Sequence, residues 1–229
     1  MKKIKTLSII LSAAILLASC GMTNTAKGGM IGGGGGAAVG AGIGALFGKG
    51  KGAAIGAAIG TAIGATTGVL IGKKMDKAAA QAKAIEGAQV QEITDSNGLQ
   101  AVKVTFDSGI LFGFNSSTLS TNAKNSLSRF ANILKENPTM DIAIYGYTDN
   151  VGTFEANQTV STRRAQAVEN YLRSMGVSGS QFKYVEGKGW SDPVASNETE
   201  VGRAQNRRVE IYMYASEQMI KDAEAEANG

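Results

Sequence analysis

An α/β fold, with helices packed on one sheet, is the class that residues 89–215 predict, and three observations predict it. Strand-like runs such as "LQAVKVTF" and "RRVEIYMY" alternate with longer segments whose apolar residues recur at helical spacing. Turn and stop signals fall between them, at Asp95-Ser96-Asn97-Gly98, at Asn137-Pro138 and at Gly176. Ahead of this unit lies another, because glycine stands at every fourth position from Gly28 to Gly72, twelve times without a break.

A flexible linker has no reason to keep such a register. On a helix, residues four apart share a face, so the glycines cut a groove that a second helix backbone can enter. Each interior glycine costs about 1 kcal/mol relative to alanine in water. In lipid only helices satisfy every backbone group, and the balance turns in their favour. The polar "GKGKG" at Gly48–Gly52 divides the register into Ile31–Phe47 and Ala53–Gly72, helices of roughly 25 and 30 Å. Residues 28–74 therefore predict a membrane-associated glycine-zipper helical hairpin. Two alternatives stand beside it: a low-complexity segment, and a helical pair packed in a homo-oligomer on the membrane rather than across it.

The chain opens with a basic stretch (Lys2, Lys3, Lys5) and an apolar run, Ile9 to Ala18, the pattern of a secretory signal over residues 1–19. Its end, "LASC", resembles the bacterial lipobox, which implies that Cys20 is acylated and becomes the N-terminus of a tether, residues 20–27. Glycine at 21, by resemblance to enterobacterial sorting, favours the outer membrane. Cys20 is the sole cysteine, so neither an intrachain disulfide nor a thiolate metal site can be built. Histidine is absent, which removes imidazole bases, His-ligated zinc and Ser-His-Asp sites together. No metal or cofactor is expected. Loss of residues 1–19 removes three lysines and no acids, lowering the net charge from +4 to +1. The basic balance is thus no argument for nucleic acid.

The remaining elements follow in order. "KKMDKAAAQAKAIE" reads as a connecting helix, giving a linker over 75–88. "VQEIT" and "LQAVKVTF" flank a turn and form a hairpin. Leu119, Ala123, Leu127, Phe130 and Leu134 mark a helix that Pro138 ends, "MDIAIYGYT" is a strand, and Phe154 to Met175 is a second helix. "QFKYVEGKG" and "RRVEIYMY" are strands, and residues 216–229 form a solvated helical tail.

On the helix from Phe154, at about 100° per residue, Val160, Ala167, Val168, Tyr171 and Met175 define the buried face. Arg164 falls at its centre and Asn157 beside it, whereas Arg163 points to solvent. An arginine there is costly without a partner. Asp149, just beyond the preceding strand, is where ligands collect in open α/β sheets. Asp149 and Arg164 either line a common crevice or form a plain ion pair that ties loop to helix. Arg207 shares a face with Val209 and Ile211 and either reaches the crevice or packs along the sheet edge.

"TDNVGTFEANQTVSTRRAQAVENYL", "GKGWSDP" and "GRAQNRRVEI" carry the motifs TDxxG, NxxxSxxRA, GxGxSxP and NRRVE in order, over about 110 residues. They resemble the OmpA-like C-terminal domain family, and the zipper with its lipobox resembles outer-membrane lipoproteins of the YiaD type. The resemblance implies a βαβαβ-type α+β sandwich with no catalytic role. It further implies that the domain holds the peptide stem of peptidoglycan by its meso-diaminopimelate residue, tethering outer membrane to cell wall. Asp149 is expected to receive the ligand's ammonium group and Arg164 to clamp its carboxylate, with Asn157 and Arg207 in support. Where the family often reads FDFN, this chain has "FGFN" at Phe112–Asn115. Any contact of that acid is lost at Gly113, while backbone contacts around Gly113 and Asn115 survive. A peptidoglycan hydrolase and a pore or oligomer built by the zipper are the competing readings. Trp190 and the tyrosines fit core or rim positions at strand ends, with sugar stacking as the other use.

Overall fold

The computed structural model describes residues 63–95, 98–113 and 116–229. Cys20, the turn at Gly48–Gly52 and Asn115 lie outside the described residues, and so does the glycine register up to Gly60.

Five strands form one sheet in the order β1-β2-β5-β3-β4. They are β1 (Ala88–Thr94), β2 (Gln100–Asp107), β3 (Met140–Gly146), β4 (Phe182–Gly187) and β5 (Arg208–Ala215). A tight turn joins β1 to β2, where Asp95 Oδ1 accepts from the Leu99 amide at 2.8 Å and Gly98 takes φ +76°. All neighbours run antiparallel except β3 and β4. A parallel pair needs a crossover, and the helix predicted from Phe154 supplies it.

The helices are α1 (Ala65–Lys83), α2 (Ser108–Leu111), α3 (Thr121–Glu136), α4 (Phe154–Ser174), α5 (Glu200–Asn206) and α6 (Glu217–Asn228). Local sequence starts them: the hydroxyls of Ser120, Thr153, Thr199 and Ser216 accept amides of the first turns of α3, α4, α5 and α6. Gly176, at φ +89°, follows the end of α4. Residues of α1, α3, α4 and α6 share one core with Val104, Phe106, Ile142, Ile144, Ile211 and Met213. Alternate strand residues, Ala143, Tyr145, Tyr147 and Tyr212, cluster on the other face.

Two expectations change here. The boundary drawn between a zipper ending at 74 and a linker over 75–88 falls inside α1. That helix is not a free connector, since Ile71, Met75, Ala78, Ala79 and Ala82 are wholly buried in the core of the domain. Gln100 Nε2 donates to Asp76 Oδ1 at 2.8 Å, and Lys83 meets Glu92 at 2.6 Å. The last turns of the Ala53–Gly72 run thus belong to this fold. Among the described residues no helix is long and apolar enough to cross a membrane. The terminal segment is helical as predicted but not fully solvated: Met219, Ile220 and Ala223 are buried in the same core.

One close approach fixes the helix that matters most. Gly146 and Gly187 are register partners at the carboxyl ends of β3 and β4. A Cβ on Gly146 would run into the carbonyl of Ser161, and one on Gly187 into the amide of Thr162. Because neither has a side chain, α4 seats directly on the sheet at Ser161–Thr162, one turn after Asn157 and just before Arg164.

Candidate functional site

The loop after β3 carries Asp149. It is pinned on both sides, by Tyr147 N to Arg208 O at 2.8 Å and Thr148 N to Gly189 O at 2.8 Å. Asp149 is buried, 8% exposed. Its Oδ1 accepts from the Val151 amide at 3.0 Å, and its Oδ2 accepts from Arg207 Nη1 at 2.7 Å. The partner of Asp149 is therefore Arg207, and the plain Asp149–Arg164 pair is not formed. Arg207 follows the last turn of α5, and its Nη2 reaches Glu200 Oε1 at 2.7 Å. The bond to Asp149 and then the contact with Glu200 hold the Arg207 guanidinium above its ordinary range. Glu200, bonded by Arg207 and Arg203, is held below the usual carboxylate range.

Arg164 is 7% exposed. Its Nε donates to the Ser116 carbonyl at 3.1 Å, and its guanidinium lies 5.2 Å from the centroid of the Phe112 ring. Among the described residues its two Nη groups make no hydrogen bond. Burial first, and then repulsion from Arg207, lower its pKa, with Asp149 partly offsetting them. Arg164, Arg207 and Asp149 thus act on one another electrostatically, and Arg164 leaves a fork of donors open among the described residues. That fork matches a carboxylate.

Asn157 is buried on the face predicted for it, but it spends its amide hydrogens on the loop. Its Nδ2 donates to Val151 O at 2.8 Å and Thr153 O at 3.1 Å, bracing the segment that aims Asp149. Gly113 is exposed, and a Cβ there would meet Ser116 Cβ in ordinary contact at 3.9 Å. Arg163 is exposed, as its place on the helix predicts. Ser161 is the serine of NxxxSxxRA and Phe112 opens FGFN, whereas Glu200 and Ser116 were not singled out from the sequence. Of these two, Glu200 had a visible signal there, its place seven residues before Arg207 across a short helix.

Asp141 lies at the far end of β3, facing Lys183 at 3.5 Å, and is no mate for Asp149. Burial pushes its carboxyl up to about 6, and Lys183 only partly offsets this. An unfolded aspartate titrates near 3.9, so the fold favours the protonated form. The stability this gives is complete below pH ~4 and is lost as pH rises through about 6. Asp141→Asn is therefore expected to stabilise the protein at pH 7 by about 1 kcal/mol, after allowance for solvent screening. Thermal unfolding should show no gain at pH 4.

Residues 111–207 match the OmpA family, and residues 1–76 match the YMGG-like Gly-zipper family. Over 108 residues the chain is 42% identical to the Probable lipoprotein YiaD of Escherichia coli, covering 47% of this chain and 46% of that one. It is 40% identical over 111 residues to the Peptidoglycan-binding protein ArfA of Mycobacterium tuberculosis, covering 48% of this chain and 34% of that one. The chain thus spans less than half the length of either relative. Among solved structures, the cell wall anchor of the T6SS from Pseudomonas aeruginosa superposes with a TM-score of 0.52 at 27% identity, over 62% of this chain and 97% of that one.

Proposed function

We propose that this domain, whose residues 111–207 match the OmpA family, binds the peptide stem of peptidoglycan and does not cleave it. Diaminopimelate ends in a zwitterion, an ammonium and a carboxylate on one carbon. Asp149, with lone pairs left beyond the bonds from Val151 and Arg207, receives the ammonium, and the open Nη groups of Arg164 take the carboxylate. Arg207 holds Asp149 in place, and Asn157 braces the loop. The observation that carries this reading is Arg164, a buried cation with both Nη groups unspent among the described residues, beside a fixed anion. We further propose that Cys20 is acylated and that the chain is an outer-membrane lipoprotein, a reading the two family matches and the YiaD relative support. On this reading it tethers that membrane to the wall, and each modest grip is multiplied through effective concentration.

Sedimentation of the full-length protein in detergent with purified sacculi tests the binding. Wild type pellets with diaminopimelate sacculi, and Asp149→Asn binds roughly ten- to hundred-fold more weakly, the loss of one or two charge-assisted bonds. Sacculi bearing lysine instead, which lacks the terminal carboxylate, bind less. Equal pelleting in all cases sinks the assignment, and release of soluble fragments would point to a hydrolase.

A further inference from the structure

Four large apolar side chains are exposed among the described residues: Val151, Phe154, Val194 and Val201. All four lie on segments that frame the crevice, namely the loop after β3, the first turn of α4, the loop after β4, and α5. Phe154, 54% exposed, meets the half-buried Trp190 edge to face, with ring centroids 5.9 Å apart and planes at 69°. Apolar surface gathered at the mouth of a charged site marks an interaction surface rather than chance exposure.

The Trp190 loop, residues 188–199, has almost no regular structure, yet it is firmly held. Gly189 donates to Ser161 Oγ at 3.0 Å and accepts from Thr148 N at 2.8 Å. Asn206, with no exposure, accepts from the amides of Val194 and Ala195 and donates to Ala195 O and Asn197 Oδ1. Arg208 Nη2 donates to the carbonyl of Asp192, which sits at φ +53°. An aromatic side chain displayed on a loop pinned at so many points is organised before any ligand arrives.

We propose that the Phe154–Trp190 pair is a platform for a sugar ring of the glycan strand. This rests on the reading that the crevice takes the peptide stem. A pyranose presents one face of C–H groups, which suits the negative face of an aromatic ring, while its hydroxyls stay in water. The stem itself, built of alanine, a glutamate and diaminopimelate, offers no comparable apolar face. Phe154 lies on the same helix as Arg164, about 15 Å earlier along its axis, and the two stem residues between sugar and diaminopimelate span roughly 7 Å, to which the diaminopimelate side chain and the width of the sugar add. A grip on the stem's end therefore keeps the sugar within range of the rings.

Trp190 is the sole tryptophan, so its fluorescence reports on this platform directly. The probes are a stem tripeptide ending in diaminopimelate, and the same stem carrying its N-acetylated disaccharide, each titrated into the full-length protein in detergent. The disaccharide probe is expected to shift Trp190 emission and to bind three- to ten-fold more tightly than the bare stem. Phe154→Ala should bring the two probes to equal affinity. If the bare stem binds while the disaccharide adds nothing and leaves the emission unmoved, the platform is overturned and the crevice assignment stands. Failure of both probes to bind overturns both.

Discussion

Gly146→Ala is expected to lower stability by at least about 3 kcal/mol, a large share of the 5–15 kcal/mol that a domain of this size has in hand. The new methyl would occupy the place of the Ser161 carbonyl oxygen, which is helix backbone and cannot swing aside. Overpacking against movable side chains costs about 1–3 kcal/mol. Here α4 must lift from the sheet, taking Asn157 and Arg164 with it. The effect comes from contact alone, since no left-handed backbone is involved. Gly187→Ala, on the neighbouring strand, should behave alike, because its added carbon meets the Thr162 amide of α4. Gly109→Ala, with nothing near the added carbon, is the control and should move the urea midpoint by about 0.5 kcal/mol or less. Equal midpoints for all three variants would show that α4 is not seated as described.

Arg164→Met should cost roughly a hundred-fold in sacculus binding and nothing in stability. Burial and Arg207 already disfavour this cation in the fold, and one bond to Ser116 with one ring contact is modest compensation. Replacing a buried charge by an apolar side chain of similar length is often neutral or stabilising. Arg164→Lys keeps the charge but not the planar fork, and about a ten-fold loss is expected. Binding is read by sedimentation and stability by thermal unfolding. A variant that loses binding only by unfolding would make Arg164 a structural residue instead.

Much of this arrangement was legible in the residues. Strand periodicity and the breakers at Asp95, Pro138 and Gly176 located the five strands, and the motifs from TDxxG to NRRVE marked the stretch that matches the OmpA family. Helical spacing put Arg164 on the buried face because that depends on one element alone. Which arginine would hold Asp149 was not legible, for it depends on how the end of α5 meets a loop 58 positions earlier. Short α5 escaped notice because "EVGRAQN" is too brief for periodicity and contains glycine. The docking of α1 was hidden by its composition, since an alanine-rich charged helix reads equally well as a free connector. Roles for Asn115 and Cys20 rest on the resemblance alone, as both lie outside the described residues.

Fastening α1 along β1, β2 and α6 decides how long the leash is. Residues 65–88 are taken up by the domain, which at about 3.5 Å per extended residue shortens the greatest reach by roughly 80 Å. On the proposed tether, only residues 20–64 separate lipid from grip, and a good part of those carry the glycine register. Such an anchor holds its two surfaces near each other and lets go early when they are drawn apart.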